Sequence, residues 1–228
     1  MATLYVIGTP IGNLEDVTLR ALRVLKEVDL VLCEDTRVTK RLLSKYEIGT
    51  PTMSYHAQSK LSKVEMIFEL LEEGKNIALV SDAGTPCISD PGVLLVSQIL
   101  KKFGDTISIV HIPGPSALVT ALSVAGISVA EFTFLGFLPH KKGRETLFKE
   151  MAESKRVIVF YESTHRIEKA LESIEKFCGP ERMIIVAREI TKIYEEFVRG
   201  SVLDAREHFK NNPDRVRGEF VVIVAPRT

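Results

Sequence analysis

Tryptophan is absent from the 228-residue chain, and cysteine occurs only at Cys33, Cys87 and Cys178. Three scattered thiols with no close pair exclude a disulfide-stapled secreted scaffold and a zinc site, and fit a reducing compartment. No apolar stretch reaches the roughly 18 residues of a membrane span. Met1-Ala2-Thr3-Leu4-Tyr5 runs straight into strand-like sequence without a basic leader, so a soluble cytoplasmic protein with no membrane attachment is expected. An excess of charge is missing too. Lys+Arg and Asp+Glu both number 30, and any attraction for nucleic acid must therefore come from local patches. The first turn offers only Gly8 and Gly12, short of the G-x-G-x-x-G dinucleotide fingerprint. No G-x-x-x-x-G-K-[ST], G-x-S-x-G or H-E-x-x-H follows anywhere. Dinucleotide, P-loop, serine-hydrolase and zinc-protease chemistry are thereby set aside.

What is present is an α/β pattern. Leu4 to Ile7, Asp29 to Cys33, Asn76 to Val80 and Ile107 to Ile112 read as buried strands. Between them lie amphipathic segments: Asp16 to Val28, with Leu19, Leu22, Leu25 and Val28 at helical spacing, then Lys63 to Leu71, Val93 to Leu100 and Ala117 to Val124. Such alternation predicts a mostly parallel sheet covered by helices on both faces. It pauses near Gly126-Ile127-Ser128-Val129 and resumes with strands at Phe132 to Phe137, Arg156 to Tyr161, Met183 to Val186 and Phe220 to Val224. Helices are expected over Arg144 to Glu153, His165 to Phe177 and Val202 to Phe209. Ile190 to Arg199 is left open as a strand or hairpin. Two α/β domains, residues 1–129 and 130–228, are expected.

In open α/β sheets ligands gather beyond the carboxyl ends of strands. Four loops there stand out: Gly8-Thr9-Pro10-Ile11-Gly12-Asn13-Leu14, Glu34-Asp35-Thr36-Arg37, Ser81 through Gly92, and Pro113-Gly114-Pro115-Ser116-Ala117. Turn chemistry accounts for any one of them alone. Four at one end of a sheet, one of them twelve residues long where about 4–6 is usual, point to a site. Small residues with few cations suit a ligand carrying little phosphate.

These loops, together with Thr18-Leu19-Arg20-Ala21, Phe134-Leu135-Gly136-Phe137-Leu138-Pro139, Tyr161-Glu162-Ser163 and Ala187-Arg188-Glu189-Ile190-Thr191-Lys192, resemble the ribosomal RNA small subunit methyltransferase I group of the tetrapyrrole methylase superfamily. The resemblance runs nearly end to end. It implies a homodimeric class III S-adenosylmethionine methyltransferase with the cofactor in a cleft between two α/β domains. The implied reaction is methylation of the ribose 2′-hydroxyl of a cytidine in the decoding region of 16S rRNA. Carried over by motif, Gly8, Pro10, Asp82, Ala83, Thr85, Ser116, Ala117, Tyr161 and Ala187 would line the cofactor pocket. Two departures are visible: Thr164 stands where the family usually has proline after Tyr-Glu-Ser, and the sequence ends just after the strand that follows Gly218-Glu219-Phe220, where many members continue into a small helical extension.

Methyl transfer from a sulfonium needs no metal, but a ribose hydroxyl must lose a proton, which calls for a carboxylate or histidine within reach. Glu34, Glu162 and Glu189 are candidates, with His165 as competitor. Each carboxylate has a plain alternative as an ion pair: Glu34 with Arg37, Glu162 with Arg166, and Glu189 with Lys192. For RNA phosphates two basic clusters are available, Arg37, Lys40 and Arg41, and Lys141, Lys142 and Arg144. Tyr55, His56 and Tyr161 are the candidates for base stacking. Three rival readings remain: a methylase of corrin or porphyrin precursors, a magnesium-dependent phosphohydrolase using Asp35, Asp82 and Asp90, and a non-catalytic RNA-binding module.

Overall fold

A computed structural model describes residues 1–56, 61–90 and 92–227. They form two compact units, the first comprising Met1–Ser116 and the second beginning at Ala117. The division falls earlier than the expected position near Ala130. The reason is local: the helix α5 (Ala117–Ser123) packs on the last strand of the second unit.

In the first unit the strands are β1 (Thr3–Ile7), β2 (Leu30–Cys33), β3 (Thr52–Ser54), β4 (Ile77–Leu79) and β5 (Ser108–Ile112). The helices are α1 (Leu19–Glu27), α2 (Thr36–Lys45), α3 (Leu61–Glu72) and α4 (Gly92–Phe103). All paired strands run parallel, in the order β3-β2-β4-β1-β5. Buried on both faces, the strands read as continuous apolar runs. Leu4, Leu32, Ile77 and Leu79 pack with Ile67 and Leu71 of α3 and Leu95 and Ile99 of α4. Ile7, Val31, Ala78 and Ile112 pack with Ala21, Val24 and Leu25 of α1 and Leu43 of α2. Each fully buried aliphatic side chain contributes about 1.5–3 kcal/mol relative to exposure.

The strand β3 and helix α2 were not expected from the sequence. The charged cluster Glu34 to Arg37 is the start of α2, whose N-cap is Asp35. Leu19, expected on the buried stripe of α1, is 85% exposed. It occupies the first helical position, just after the Thr18 side chain caps the Ala21 N–H at 3.1 Å.

The second unit adds the strands β6 (Phe132–Phe137), β7 (Val157–Ser163), β8 (Met183–Arg188), β9 (Glu196–Ser201) and β10 (Glu219–Val224). Its further helices are α6 (Arg144–Glu153), α7 (Ile167–Cys178) and α8 (Val202–Asn211). The strand order is β6-β7-β10-β8-β9, with β6 parallel to β7 and every other pair antiparallel. A mostly parallel sheet therefore holds for the first unit only. The open segment resolves into a hairpin, with Glu189 to Glu195 turning β8 into β9. Phe148, Ile167, Leu171, Ile174, Val202 and Phe209 from α6, α7 and α8 pack with Ile158, Phe160, Ile184, Val222 and Val224 of the sheet. The alternate sheet residues Val159, Ile185, Ala187, Val221 and Ile223 are also buried.

Candidate active site

From β1 the chain passes over β4 to reach β2, and from β4 it passes over β1 to reach β5. Adjacent strands thus send their connections in opposite directions, which leaves a crevice at their carboxyl ends. The loops there are tied together. Thr9 N–H donates to Gly84 O at 2.9 Å and Gly84 N–H to Thr9 O at 3.1 Å. The Thr9 hydroxyl lies 3.2 Å from Ser81 O and 3.3 Å from Gly84 O. Gly8 N–H donates to Ile112 O at 3.0 Å, and the Thr85 hydroxyl to Pro115 O at 3.1 Å. A Cβ on Gly8 would lie 2.8 Å from Gly114 Cα, and one on Gly114 would lie 2.8 Å from Gly8 O. Only hydrogen at both positions lets the two backbones touch. Within the Ser81 loop Cys87 and Ser89 hold left-handed φ values of 70° and 65°, a strain of about 1–3 kcal/mol each that clusters at functional sites. Asp90 holds this turn by accepting Cys87 N–H at 2.8 Å and Gly92 N–H at 2.9 Å. Pro91, part of the same motif, lies outside the described residues.

Of the expected cofactor-lining residues, Gly8 and Pro10 are buried, Thr85 and Ser116 half-buried, and Asp82 and Ala83 exposed at the loop's crest. The structure also brings the second loop to the third. Asp35 N–H donates to Asp82 Oδ1 at 2.9 Å, and Asp82 N–H points at Glu34 Oε1 at 3.5 Å. Arg37 does not pair with Glu34. Its guanidinium grips Asp35, with Nη2 2.6 Å from Oδ2, and the hydrogen bonds from Arg37 hold the Asp35 carboxyl down to about 2. Glu34 has no ion pair among the described residues. Burial pushes its carboxyl up, the Asp82 N–H offsets part of that, and the nearby Asp82 and Asp90 carboxylates push it up further. The Cys87 thiol is pushed up to about 11 by burial and is no nucleophile at neutral pH. Among the described residues no group of three or more His, Cys, Asp or Glu side chains has metal-holding geometry. The magnesium arrangement of Asp35, Asp82 and Asp90 is not assembled: Asp35 is bound to Arg37, and Asp90 to its own turn.

The second-unit candidates separate. Tyr161 packs edge-on against Phe134 and Phe137, with centroids at 4.9 and 5.5 Å, and its hydroxyl accepts Leu118 N–H at 3.2 Å, next to Ala117. Ala187 is fully buried in β8. Glu189 meets Lys192 at 2.8 Å and accepts Glu219 N–H at 2.9 Å. Burial alone would raise its carboxyl, but Lys192 and the Glu219 N–H outweigh that and lower it. Glu162 has a fully buried side chain between Arg144 and Arg166. The two plain alternatives for Glu162 and Glu189 are thus the arrangements seen, and His165 is exposed on the turn before α7.

Arg37, Lys40 and Arg41 are exposed on α2, and Lys141 and Lys142 on the turn before α6. Arg144 departs from the expected basic cluster: its side chain is turned onto Glu162 and is 16% exposed. Tyr55 is 4% exposed and packed in the core, which removes it from base stacking, whereas His56 is exposed. Gly114 was not singled out from the sequence beyond its loop, and neither the turn-holding contacts of Asp90 nor the carbonyl contacts of Arg166 were read there. The glycine between two prolines was the one visible signal.

The family model for Tetrapyrrole (Corrin/Porphyrin) Methylases matches residues 3–205. A ribosomal RNA small subunit methyltransferase I of Thermotoga maritima is 46% identical over 225 residues, 99% of both chains. One of Bacillus subtilis is 46% identical over 226 residues, 98% of this chain and 75% of that one. Among solved structures, the methyltransferase CobJ superposes with a TM-score of 0.73 at 20% identity, over 99% of this chain and 95% of that one. Cobalt precorrin-4 methyltransferase CbiF gives 0.68 at 22% identity, over 98% and 94%. At such identity these two share the fold alone. Sequence likeness over almost the whole length, together with the loop constellation at the sheet's switch point, places the chain in the tetrapyrrole methylases, and within them it belongs to the ribosomal RNA small subunit methyltransferase I family.

Proposed function

We propose that this enzyme transfers a methyl group from S-adenosylmethionine to the ribose 2′-hydroxyl of a cytidine in the decoding region of 16S rRNA, acting as a homodimer in the cytoplasm. The observation that carries the RNA substrate is the 46% identity to the Thermotoga maritima relative over 99% of both chains. For the donor, the support is the chemistry of the switch-point loops. Glu34, Asp82 and Asp90 gather with no cation among the described residues committed to Glu34, and the surrounding turns offer backbone groups instead of a phosphate cradle. That setting fits a cationic, phosphate-free ligand. When bound, the sulfonium supplies an already activated methyl group.

The chain's own part is positioning and proton removal. The Thr9–Gly84 bridge and the Gly8–Gly114 approach fix the loops that would hold the donor. Asp82 Oδ1 fastens the start of α2 and so sets the place of Glu34. Of the four candidates for the base, Glu162 and Glu189 are bound to cations and His165 sits on an exposed turn. Glu34 is free of a cation among the described residues and raised by burial, which brings it toward the working range of a general base. Arg37, Lys40, Arg41, Lys141 and Lys142 are the cations proposed to meet RNA phosphates.

The test is incorporation of labelled methyl from S-adenosylmethionine into undermethylated 30S subunits, with the site mapped by mass spectrometry. Label on a 16S ribose 2′-oxygen is expected. Label on a corrin or porphyrin precursor and none on 30S would overturn the reading.

A further inference from the structure

The carboxylate of Glu162 has no exposure at all, yet two guanidiniums share it, and both reach past it to the same stretch of backbone. Oε1 accepts Ser163 N–H at 2.9 Å and lies 3.3 Å from Arg166 Nε. Oε2 lies 3.6 Å from Arg144 Nη1 and has no hydrogen-bond partner among the described residues. The same two guanidiniums also reach the backbone. Arg166 Nη2 donates to Leu138 O and, at 3.3 Å, to Pro139 O. Arg144 Nη1 donates to Pro139 O at 3.2 Å. Arg166 Nη1 lies 3.5 Å from His140 Nε2.

Leu138 and Pro139 leave β6 and lead directly into His140-Lys141-Lys142-Gly143, where the two lysines are exposed and Gly143 adopts φ +82° before α6. Pro139 has no N–H of its own to give. The turn is therefore anchored through its carbonyls, and those anchors are side chains of α6 and of the residue that opens α7. A bare carboxylate in such a place would be costly, and removing it would leave two half-buried cations facing each other. We infer that Glu162 is a positioning residue: through Arg144 and Arg166 it holds the Leu138–Gly143 turn in one conformation, so that Lys141 and Lys142 meet the RNA backbone in fixed register. This rests on the RNA-methylating reading above and assigns Glu162 no contact with donor or reacting hydroxyl.

Glu162→Gln keeps the shape and removes the charge. With 30S subunits as substrate, KM is expected to rise about tenfold, the loss of one to two oriented phosphate contacts. The kcat at saturating subunits should stay within about twofold, and the slope of log affinity against log salt should become shallower by about one to two. Hydrogen exchange of the backbone over residues 138–143 should accelerate. Arg166→Lys retains charge opposite Glu162 but replaces the wide planar fork that reaches both the carboxylate and the Leu138 and Pro139 carbonyls with a compact point charge, and it should show the same pattern to a smaller degree even where Glu162→Gln folds poorly. In the double variant the effects should not add, because both act through one anchor. A collapse of kcat at saturation with KM preserved would make Glu162 the base and overturn the inference, as would unchanged KM and unchanged exchange. Wild-type protein inactive on 30S would refute the RNA reading alone, since exchange in the 138–143 turn reports the anchor without any substrate.

Discussion

Replacing Gly114 by alanine would place a methyl group 2.8 Å from Gly8 O and 2.9 Å from Gly8 C. Carbon does not approach backbone that closely, and neither neighbour is a flexible side-chain end. The strand ends of β1 and β5 would have to part, although they are tied by the Gly8 N–H to Ile112 O hydrogen bond. Overpacking of this kind costs about 1–3 kcal/mol. Taking the middle of that range and about 2–4 °C per kcal/mol for a chain of this size, the melting temperature should fall by about 4–8 °C. Donor binding should suffer with the packing. S-adenosylmethionine at a hundred times its Kd should stabilise the wild-type protein by about 2.7 kcal/mol, and the variant should recover little of that. Thermal melts with and without S-adenosylmethionine, together with titration calorimetry, measure both. Gly49→Ala is the control. Nothing lies within 4 Å of a Cβ there, and the change should stay within about 0.5 kcal/mol. A Gly114→Ala melt matching that control would refute the packing argument. A lowered melt with full donor affinity would refute the placement of the donor at these loops.

Glu34→Gln should lower kcat by about 10²–10⁴-fold. The wild-type rate should fall as pH drops through a Glu34 pKa lying above the ordinary glutamate value, because the base works only when deprotonated, and the variant should lose that acid limb. Lys192→Met tests the lowered Glu189 carboxyl. A depressed folded-state pKa gives stability that is present above the unfolded value of about 4.3 and lost as pH falls through the folded one. The gap in unfolding midpoint between wild type and variant should therefore close between neutral and strongly acid pH, and a gap independent of pH would refute the assignment. Lys40→Ala on α2 should weaken 30S binding evenly across RNA sequences and make the salt slope shallower by about one, read by filter binding at several salt concentrations. An unchanged slope would remove α2 from the RNA-facing surface.

The parts that were legible in the sequence are those in which a residue's own neighbours decide its state. The Ser81 loop announced itself because Gly84, Pro86, Asp90 and Gly92 are turn residues for local backbone reasons, and α1 announced itself by its apolar spacing. The α2 helix did not: Thr36-Arg37-Val38-Thr39-Lys40-Arg41 is polar and partly β-branched, and only Thr39, Leu42 and Leu43 are buried. Strand direction in the second unit was invisible, since alternation of buried residues is the same for parallel and antiparallel neighbours. At the site the residue types were readable and their partners were not. Arg37 was equally placed for Glu34 and Asp35, and the choice went to Asp35 because that side chain already caps the Arg37 N–H at 2.8 Å. Arg144 reads as one more cation beside Lys141 and Lys142 until the fold sets it on Glu162.

The order β3-β2-β4-β1-β5 seats the first strand to be synthesised between two that are made much later. As the chain leaves the ribosome, β1 has neither edge paired until Ile77–Leu79 and then Ser108–Ile112 have emerged. Pairing over such sequence distances is slow because the intervening chain must first be closed into a loop. Gly8 meets Gly114 only after that closure. A nascent chain truncated before β5 would thus carry every residue of the first three site loops and still lack the backbone junction that shapes them.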